Sequence, residues 1–202
     1  STLSPMPPDD VSLNKPASAT SGRTVKRTLL RQGVKFDIEL VERPGRDGTP
    51  LTREVIRHPG SVIILPLLAT PSGVQVVLIE NFRLSTESTL LELPAGTRTR
   101  GEDPAVCAAR ELIEETGYRA GTLTHVTTFL TAPGLTDEAM AFFIAQNLSQ
   151  VGQDLENDEE IAVRLVSPSA ALSMIAKGEI RDAKTMLALL LAKDRGILPI
   201  LK

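Results

Sequence analysis

The sequence predicts an α+β protein in which a mixed β-sheet is flanked by helices. Two observations carry that expectation. Segments with strand character outnumber helical ones, and two of the three helical segments come late in the chain. The strand segments are rich in Val, Ile, Leu and Phe and end at Pro- and Gly-containing breaks.

Taken in order, residues 1–22 combine Ser, Pro, Asp and Thr with little apolar content and read as a flexible lead-in. Segments 23–32 and 34–43 alternate around Gly33, with Val34, Phe36, Ile38 and Leu40 on one face of a half-buried antiparallel hairpin. Pro44-Gly45-Arg46-Asp47-Gly48 makes a turn, and 51–58 a third strand before the Pro59-Gly60 break. Segments 61–69 and 74–83 are strongly β and join across Pro71-Ser72-Gly73. Pro66 inside the first of them predicts a bulge or an edge position.

Residues 90–93 form a short strand leading to Pro94-Ala95-Gly96. Asp103 as N-cap, Pro104 at the first helical position and Gly117 past the end bound a helix over 104–116. Its Val106, Ala109 and Ile113 are expected to face the sheet, with Glu111 and Glu115 on the other side. Strands at 122–131 and 139–147 flank the loop from Thr131 to Glu138, and an acidic turn at 154–160 precedes a strand from Ile161. Helices after Ser167 and over 182–195, the latter stopped by Gly196, close the chain.

At 202 residues the chain suits one well-cored domain with a smaller appended piece. A net charge of −3 without a basic block argues against nucleic acid and anionic membrane as partners. The single cysteine, Cys107, rules out an intramolecular disulfide and suits a reducing cytoplasm. Apolar runs fall short of the roughly 18 residues of a spanning helix. The opening STLSPMPPDD lacks the apolar centre of a signal peptide.

The stretch that carries chemistry is GTRTRGEDPAVCAARELIEETGY, residues 96–118. On a helix, Glu111, Glu114 and Glu115 share one stripe. Glu111 and Glu115 repel as an i,i+4 pair by roughly 0.2–0.5 kcal/mol. All three also lie near the negative end of the helix dipole. A positive group must offset this, and a hard divalent cation with oxygen ligands is the natural candidate, with Glu111 and Glu115 as first ligands. Gly96 and Gly117 read as a tight turn and a helix stop. Glu102 suits either an N-terminal anion favoured by the dipole or an outer ligand. Cys107 reads as a small helix residue rather than a nucleophile, because no basic residue lies near it in sequence.

Gly96, then Glu102, then Arg110-Glu111-Leu112-x-Glu114-Glu115-x-Gly117-Tyr118, at these spacings, resembles the box of the Nudix hydrolases. Tyr118 departs from the usual aliphatic residue. The likeness extends over roughly 23–195. The LLELPAG segment, REV-x-x-HPG at 53–60 and Pro133, fifteen residues past Tyr118, are similar to the ADP-ribose pyrophosphatase branch. The resemblance implies a Nudix fold, an α/β/α sandwich around a mixed sheet. It implies dependence on Mg²⁺ or Mn²⁺, with more than one ion, and hydrolysis of ADP-ribose to AMP and ribose 5-phosphate. GDP-mannose or another nucleoside diphosphate sugar is the alternative substrate, and a catalytically silent nucleotide-binding regulator the alternative class.

By the same resemblance Glu114 and the Ala95 carbonyl join the metal ligands, and Arg110 holds the box carboxylates. Glu138 aligns with the loop glutamate that serves as general base, with Asp137 and Glu114 as competitors. Ala132 stands where many relatives have a serine. Arg53 and Arg83, whose guanidinium groups suit bidentate phosphate contacts, align with positions that contact the diphosphate or terminal ribose. Gly96 is grouped with the substrate-binding positions. Phe36 is a candidate for stacking on adenine from a partner subunit, and is otherwise core. His58 is expected to serve its turn. The 23–57 region is expected to form a small sheet that pairs two subunits, with 58–202 as the hydrolase domain.

Overall fold

A computed structural model describes residues 25–155 and 160–199. The expected lead-in at 1–22 and part of the acidic turn at 154–160 lie outside the described residues. The chain divides into two compact units: one holds the described residues up to Gly60 together with Phe129–Ala139, the other Ser61–Thr128 and the residues from Met140 on.

The first unit is an antiparallel sheet of three strands in the order β1 (Lys26–Arg31), β2 (Asp37–Pro44), β3 (Pro50–Arg57). The predicted hairpin at Gly33 is present, but its turn is wider than the alternation implied. A side chain at Gly33 would meet the Phe36 carbonyl oxygen at 2.2 Å, and the Gly33 N–H reaches the Asp37 carboxylate at 3.3 Å. Val34 and Phe36 therefore sit exposed in the turn, and only Ile38 and Leu40 belong to the strand. The Phe129–Ala139 segment joins this unit through backbone bonds: Ile56 N–H donates to the Leu135 carbonyl at 3.0 Å, and Asp137 N–H to the Ile56 carbonyl at 3.3 Å.

The second unit is a seven-stranded mixed sheet. Its strands are β4 (Ser61–Thr70), β5 (Gly73–Arg83), β6 (Ser88–Glu92), β7 (Ala95–Thr97), β8 (Tyr118–Leu130), β9 (Ala139–Gln150) and β10 (Ile161–Val166). The main path runs β10-β5-β4-β9-β8, with β6 on β5 and β7 on β4. The β4–β9 pair is parallel, whereas β4–β5, β4–β7, β5–β6 and β5–β10 are antiparallel. Helices α1 (Pro104–Thr116), α2 (Pro168–Ala176) and α3 (Ala183–Asp194) complete the unit.

β4 shows why the layers form. Val62, Ile63, Ile64 and Leu65 are all fully buried, which a strand achieves only when both sheet faces are covered. Val62 and Ile64 pack with Cys107, Ala108 and Leu112 of α1 and with Ala141, Phe143 and Ala145 of β9. Their neighbours Ile63 and Leu65 point to the other face by strand alternation, and α3 also packs on β4, with Ala188, Leu189 and Ala192 buried.

The predicted edge or bulge at Pro66 is overturned, since β4 is central. Along the side facing β5 and β7, β4 pairs β7 at 61–63, donates from Ile64 N–H to the Pro94 carbonyl at 2.9 Å, and pairs β5 only from Leu67. Pro66 falls at this handover between partners, where its missing N–H breaks no ladder bond. The three-residue β7 was not anticipated, and β8 and β9 run longer than the sequence suggested.

Candidate active site

Helix α1 has the predicted limits. The Asp103 carboxylate accepts from the N–H groups of Ala105 and Val106, and Gly117 closes the helix at φ 71°. Its orientation departs from the expectation at Val106 and Ala109, while Ile113 is half-buried. Val106 is 61% exposed and Ala109 is exposed, while the inward stripe is Cys107, Ala108, Glu111, Leu112, Glu115 and Thr116. Glu111 and Glu115 are only 8% and 3% exposed. The reason lies in what this face meets. Small and apolar residues meet the sheet core, whereas the two glutamates fall over Ala95 and Gly96, which lie in strand β7 and not in the tight turn expected at Gly96, and which have almost no side chain to oppose them.

The contact is close. A Cβ on Gly96 would stand 1.8 Å from the Glu111 carboxyl carbon, so the carboxylate occupies the space a side chain would need. Glu115 Oε2 accepts from the Ala95 N–H at 2.8 Å. Ala95 pairs with Ile63 between two hydrogen-bonded positions of the β4–β7 ladder, so its N–H and C=O both turn away from β4. The N–H is taken by Glu115, and the carbonyl emerges on that same side.

Arg110 answers much of the repulsion in the box. Its Nη1 lies 2.7 Å from Glu114 Oε2 and 2.9 Å from Glu111 Oε1, and its Nε lies 3.4 Å from Glu102 Oε1. Burial opposes the charge on Arg110, but its bonds to Glu102 and the charge of Glu111 outweigh this and raise its pKa. Glu102 folds back onto the Thr99 N–H at 2.9 Å. Burial opposes its ionisation, yet Thr99 and Arg110 hold it below the usual range. The dipole end is also covered, because the Glu114 carbonyl accepts from Asp154 N–H and the Glu115 carbonyl from Gln153 Nε2.

Cys107 is inert for a reason other than the one expected. A basic group is near, with Arg110 Nη2 at 3.4 Å from Sγ. Burial, reinforced by Glu111 and Glu102, nevertheless pushes the thiol up to about 12.

These donors fit a hard divalent cation: two buried carboxylates and a backbone carbonyl, all oxygen, meet at Ala95-Gly96 of β7. Among the described residues no three His, Cys, Asp or Glu side chains gather closely enough to enclose an ion alone. Glu114 is drawn toward Arg110.

Arg83 is held side-on by Glu92, with Nε to Oε1 at 2.8 Å and Nη2 to Oε2 at 2.7 Å. Glu92 is 1% exposed and also accepts from Lys184. Sequence reasoning gave Glu92 and Lys184 no role. A lone charge inside the apolar run Leu90-Leu91-Glu92-Leu93 was the available signal for Glu92, and nothing local marked Lys184.

In the first unit, Glu138 Oε2 accepts from the Thr131 hydroxyl at 2.7 Å, and Oε1 lies 3.9 Å from His58 Nδ1. Asp137 is engaged twice, by the His58 N–H at 2.9 Å and by Arg57 Nη1 at 3.1 Å. His58 Nδ1 accepts from the Gly60 N–H at 3.1 Å, the turn role expected of it. Arg53 is exposed, with Nη1 on the Thr52 carbonyl at 2.7 Å, and Phe36 is 42% exposed.

A mixed sheet packed against helices, with α1 setting two buried carboxylates over strand β7, defines the class as a sheet-and-helix fold with an acidic, oxygen-rich centre. A family profile described as "NUDIX domain" matches residues 57–189. The chain belongs to the Nudix hydrolase family. It is 37% identical over 171 residues to an ADP-ribose pyrophosphatase of Bacillus subtilis, covering 83% of this chain and 90% of that one. It is also 37% identical over 158 residues to a GDP-mannose pyrophosphatase of Salmonella typhimurium, covering 71% and 82%. A solved structure described as an ADP compounds hydrolase superposes with a TM-score of 0.73 at 21% identity, over 90% of this chain and 100% of that one; it supports the fold alone.

Proposed function

We propose that the protein hydrolyses the diphosphate of ADP-ribose, giving AMP and ribose 5-phosphate. The observation that carries this reading is the 37% identity with the Bacillus subtilis ADP-ribose pyrophosphatase across most of both chains, joined to an intact box whose glutamates lie buried at Ala95-Gly96. Glu111, Glu115 and the Ala95 carbonyl would hold a divalent cation, Mg²⁺ or Mn²⁺, and Glu114 would serve a further ion. When bound, such ions neutralise phosphate oxygens and lower the pKa of a bound water.

The remaining work falls to the chain itself. Arg110 holds Glu111 and Glu114 together on one guanidinium nitrogen and offsets the repulsion between them. Arg83 presents guanidinium N–H groups to the diphosphate. Arg53 is carried over from the resemblance as a contact for the diphosphate or terminal ribose, Gly96 as a substrate-binding position, and Phe36 as a residue that stacks on adenine from a partner subunit. Glu138 takes the proton of the attacking water at a carboxylate oxygen. The water oxygen then bonds to phosphorus, and the anhydride P–O bond breaks to release a phosphate monoester. Glu138 is favoured over Asp137 because it aligns with the loop glutamate of the ADP-ribose branch when Pro133-Gly134 is matched.

The exposed Leu29 and Leu30 of β1 favour pairing of two subunits through the N-terminal sheet, and a cytoplasmic setting suits the free, buried thiol. Among the described residues no helix is long and apolar enough to cross a membrane.

The test is a turnover panel with purified protein at millimolar Mg²⁺. ADP-ribose should be the best substrate, with AMP as a product. The Salmonella relative supports GDP-mannose as the second reading, and faster turnover of GDP-mannose would replace the first. Failure to turn over any nucleoside diphosphate compound would favour the silent regulator.

A further inference from the structure

We propose that Glu92 is a positioning residue that sets the Arg83 guanidinium for the substrate diphosphate, with Lys184 as its second counter-charge. The proposal rests on the reading of this chain as a nucleoside diphosphate hydrolase and adds a part to it.

Glu92 ends β6 at 1% exposure, where a carboxylate is costly unless fully paired. Its pairing with Arg83 is the side-on fork, Nε to Oε1 at 2.8 Å and Nη2 to Oε2 at 2.7 Å. That geometry fixes the plane of the guanidinium as well as its distance. The fork uses two of the five N–H donors of arginine and leaves both on Nη1 and one on Nη2, on a side chain that is 37% exposed. A planar donor edge of this kind suits the oxygens of a phosphate group.

Lys184 sits on the same Oε2 and is itself tied to Asp182 Oδ1 at 3.0 Å, so the two cations are matched by two carboxylates and the buried Glu92 is fully compensated. Arg83 also feels the charge of Glu115, so it lies within the field of the box carboxylates. The same clamp secures the chain beside Glu92, because the Leu93 N–H donates to the Thr185 hydroxyl at 2.8 Å.

The experiment is a double-mutant cycle of Arg83→Ala and Glu92→Gln, with Lys184→Met and Arg83→Lys alongside. It uses whichever nucleoside diphosphate compound the wild type turns over fastest, so a wrong nucleotide assignment leaves it valid. Glu92→Gln should raise KM roughly ten-fold with little change in kcat, the expected signature of lost substrate binding. The double variant should match Arg83→Ala alone, because Glu92 acts through Arg83. Arg83→Lys should not rescue, since an ammonium cannot form the fork, and Lys184→Met should raise KM less than Glu92→Gln does. A purely structural role for Glu92 would lower Tm and leave the KM of the folded protein unchanged. That result, or additive effects of Arg83→Ala and Glu92→Gln on KM, overturns the proposal. If Glu92→Gln does not fold, a Lys184→Met protein that folds with wild-type KM overturns it instead. A wild type inactive on every such compound overturns the parent reading and this inference with it.

Discussion

At the scale of the residue, the site depends on a side chain that is missing. A methyl group at Gly96 would overlap the Glu111 carboxyl carbon at 1.8 Å, and the strand pairing of β7 limits how far the backbone can retreat. Gly96→Ala should therefore displace Glu111 and lower kcat by on the order of 100-fold, with far-UV circular dichroism unchanged. Wild-type activity in this variant would remove Glu111 from the centre. Glu115→Gln is the complementary change. The amide oxygen can still accept from the Ala95 N–H, so the fold should survive, and loss of a like charge beside Glu111 should leave the metal-free protein at least as stable. Its kcat should fall by about 100-fold or more as an anionic ligand is lost, and near-normal turnover would exclude Glu115 from metal binding. Cys107 gives a third test. With its thiol pushed up to about 12 by burial, only about one molecule in 10,000 carries the thiolate at pH 8. A thiol reagent should label the native protein far more slowly than the unfolded one, and equal rates would contradict the burial.

At the scale of the element, α1 is fastened at both ends. Asp103 accepts from two N–H groups, so Asp103→Ala should cost about 1 kcal/mol of stability. Gly117→Ala should cost more: φ is 71°, and a Cβ there would lie 2.8 Å from the Gln153 backbone nitrogen. Chemical denaturation of the two variants compares them directly, and a milder effect at Gly117 would refute the ranking. These ends were legible in the sequence because caps are local: Asp103, Pro104 and Gly117 each act on backbone within a few residues. The face of α1 was not legible. Hydrophobic periodicity assigns glutamate to the outside, and only the Ala95-Gly96 segment of β7, held beneath the helix by pairing with β4, makes burial of Glu111 and Glu115 possible. Pro66 was misjudged for a similar reason, since a handover of strand partners leaves no mark in the local sequence. The family was legible from the spacing of the box residues. The clamp on Arg83 was not, because Glu92 and Lys184 stand 92 positions apart.

At the scale of the whole molecule, the Glu92 clamp ties β5, β6 and α3 into one electrostatic unit and so makes stability depend on pH. Burial alone would raise the Glu92 pKa, but the bonds from Arg83 and the charge of Lys184 outweigh it and hold the carboxyl below its ordinary 4.5. The unfolded chain therefore binds the proton more readily than the folded one, and stability rises with pH across that interval. The contribution is fully present above about 4.5 and is lost as pH falls through the lower folded value. Arg83, raised by its bond to Glu92, stays charged throughout and adds no slope there. Glu102, also held low, works in the same direction, so removing Glu92 should reduce the acid-side slope without abolishing it. Unfolding free energies measured from pH 7 down to pH 3 should fall less steeply for Glu92→Gln than for the wild type, and the curves should differ most above pH 4.5. Parallel curves, offset by the same amount at every pH, would mean that Glu92 is not a depressed carboxylate and that the clamp is held by packing instead of charge.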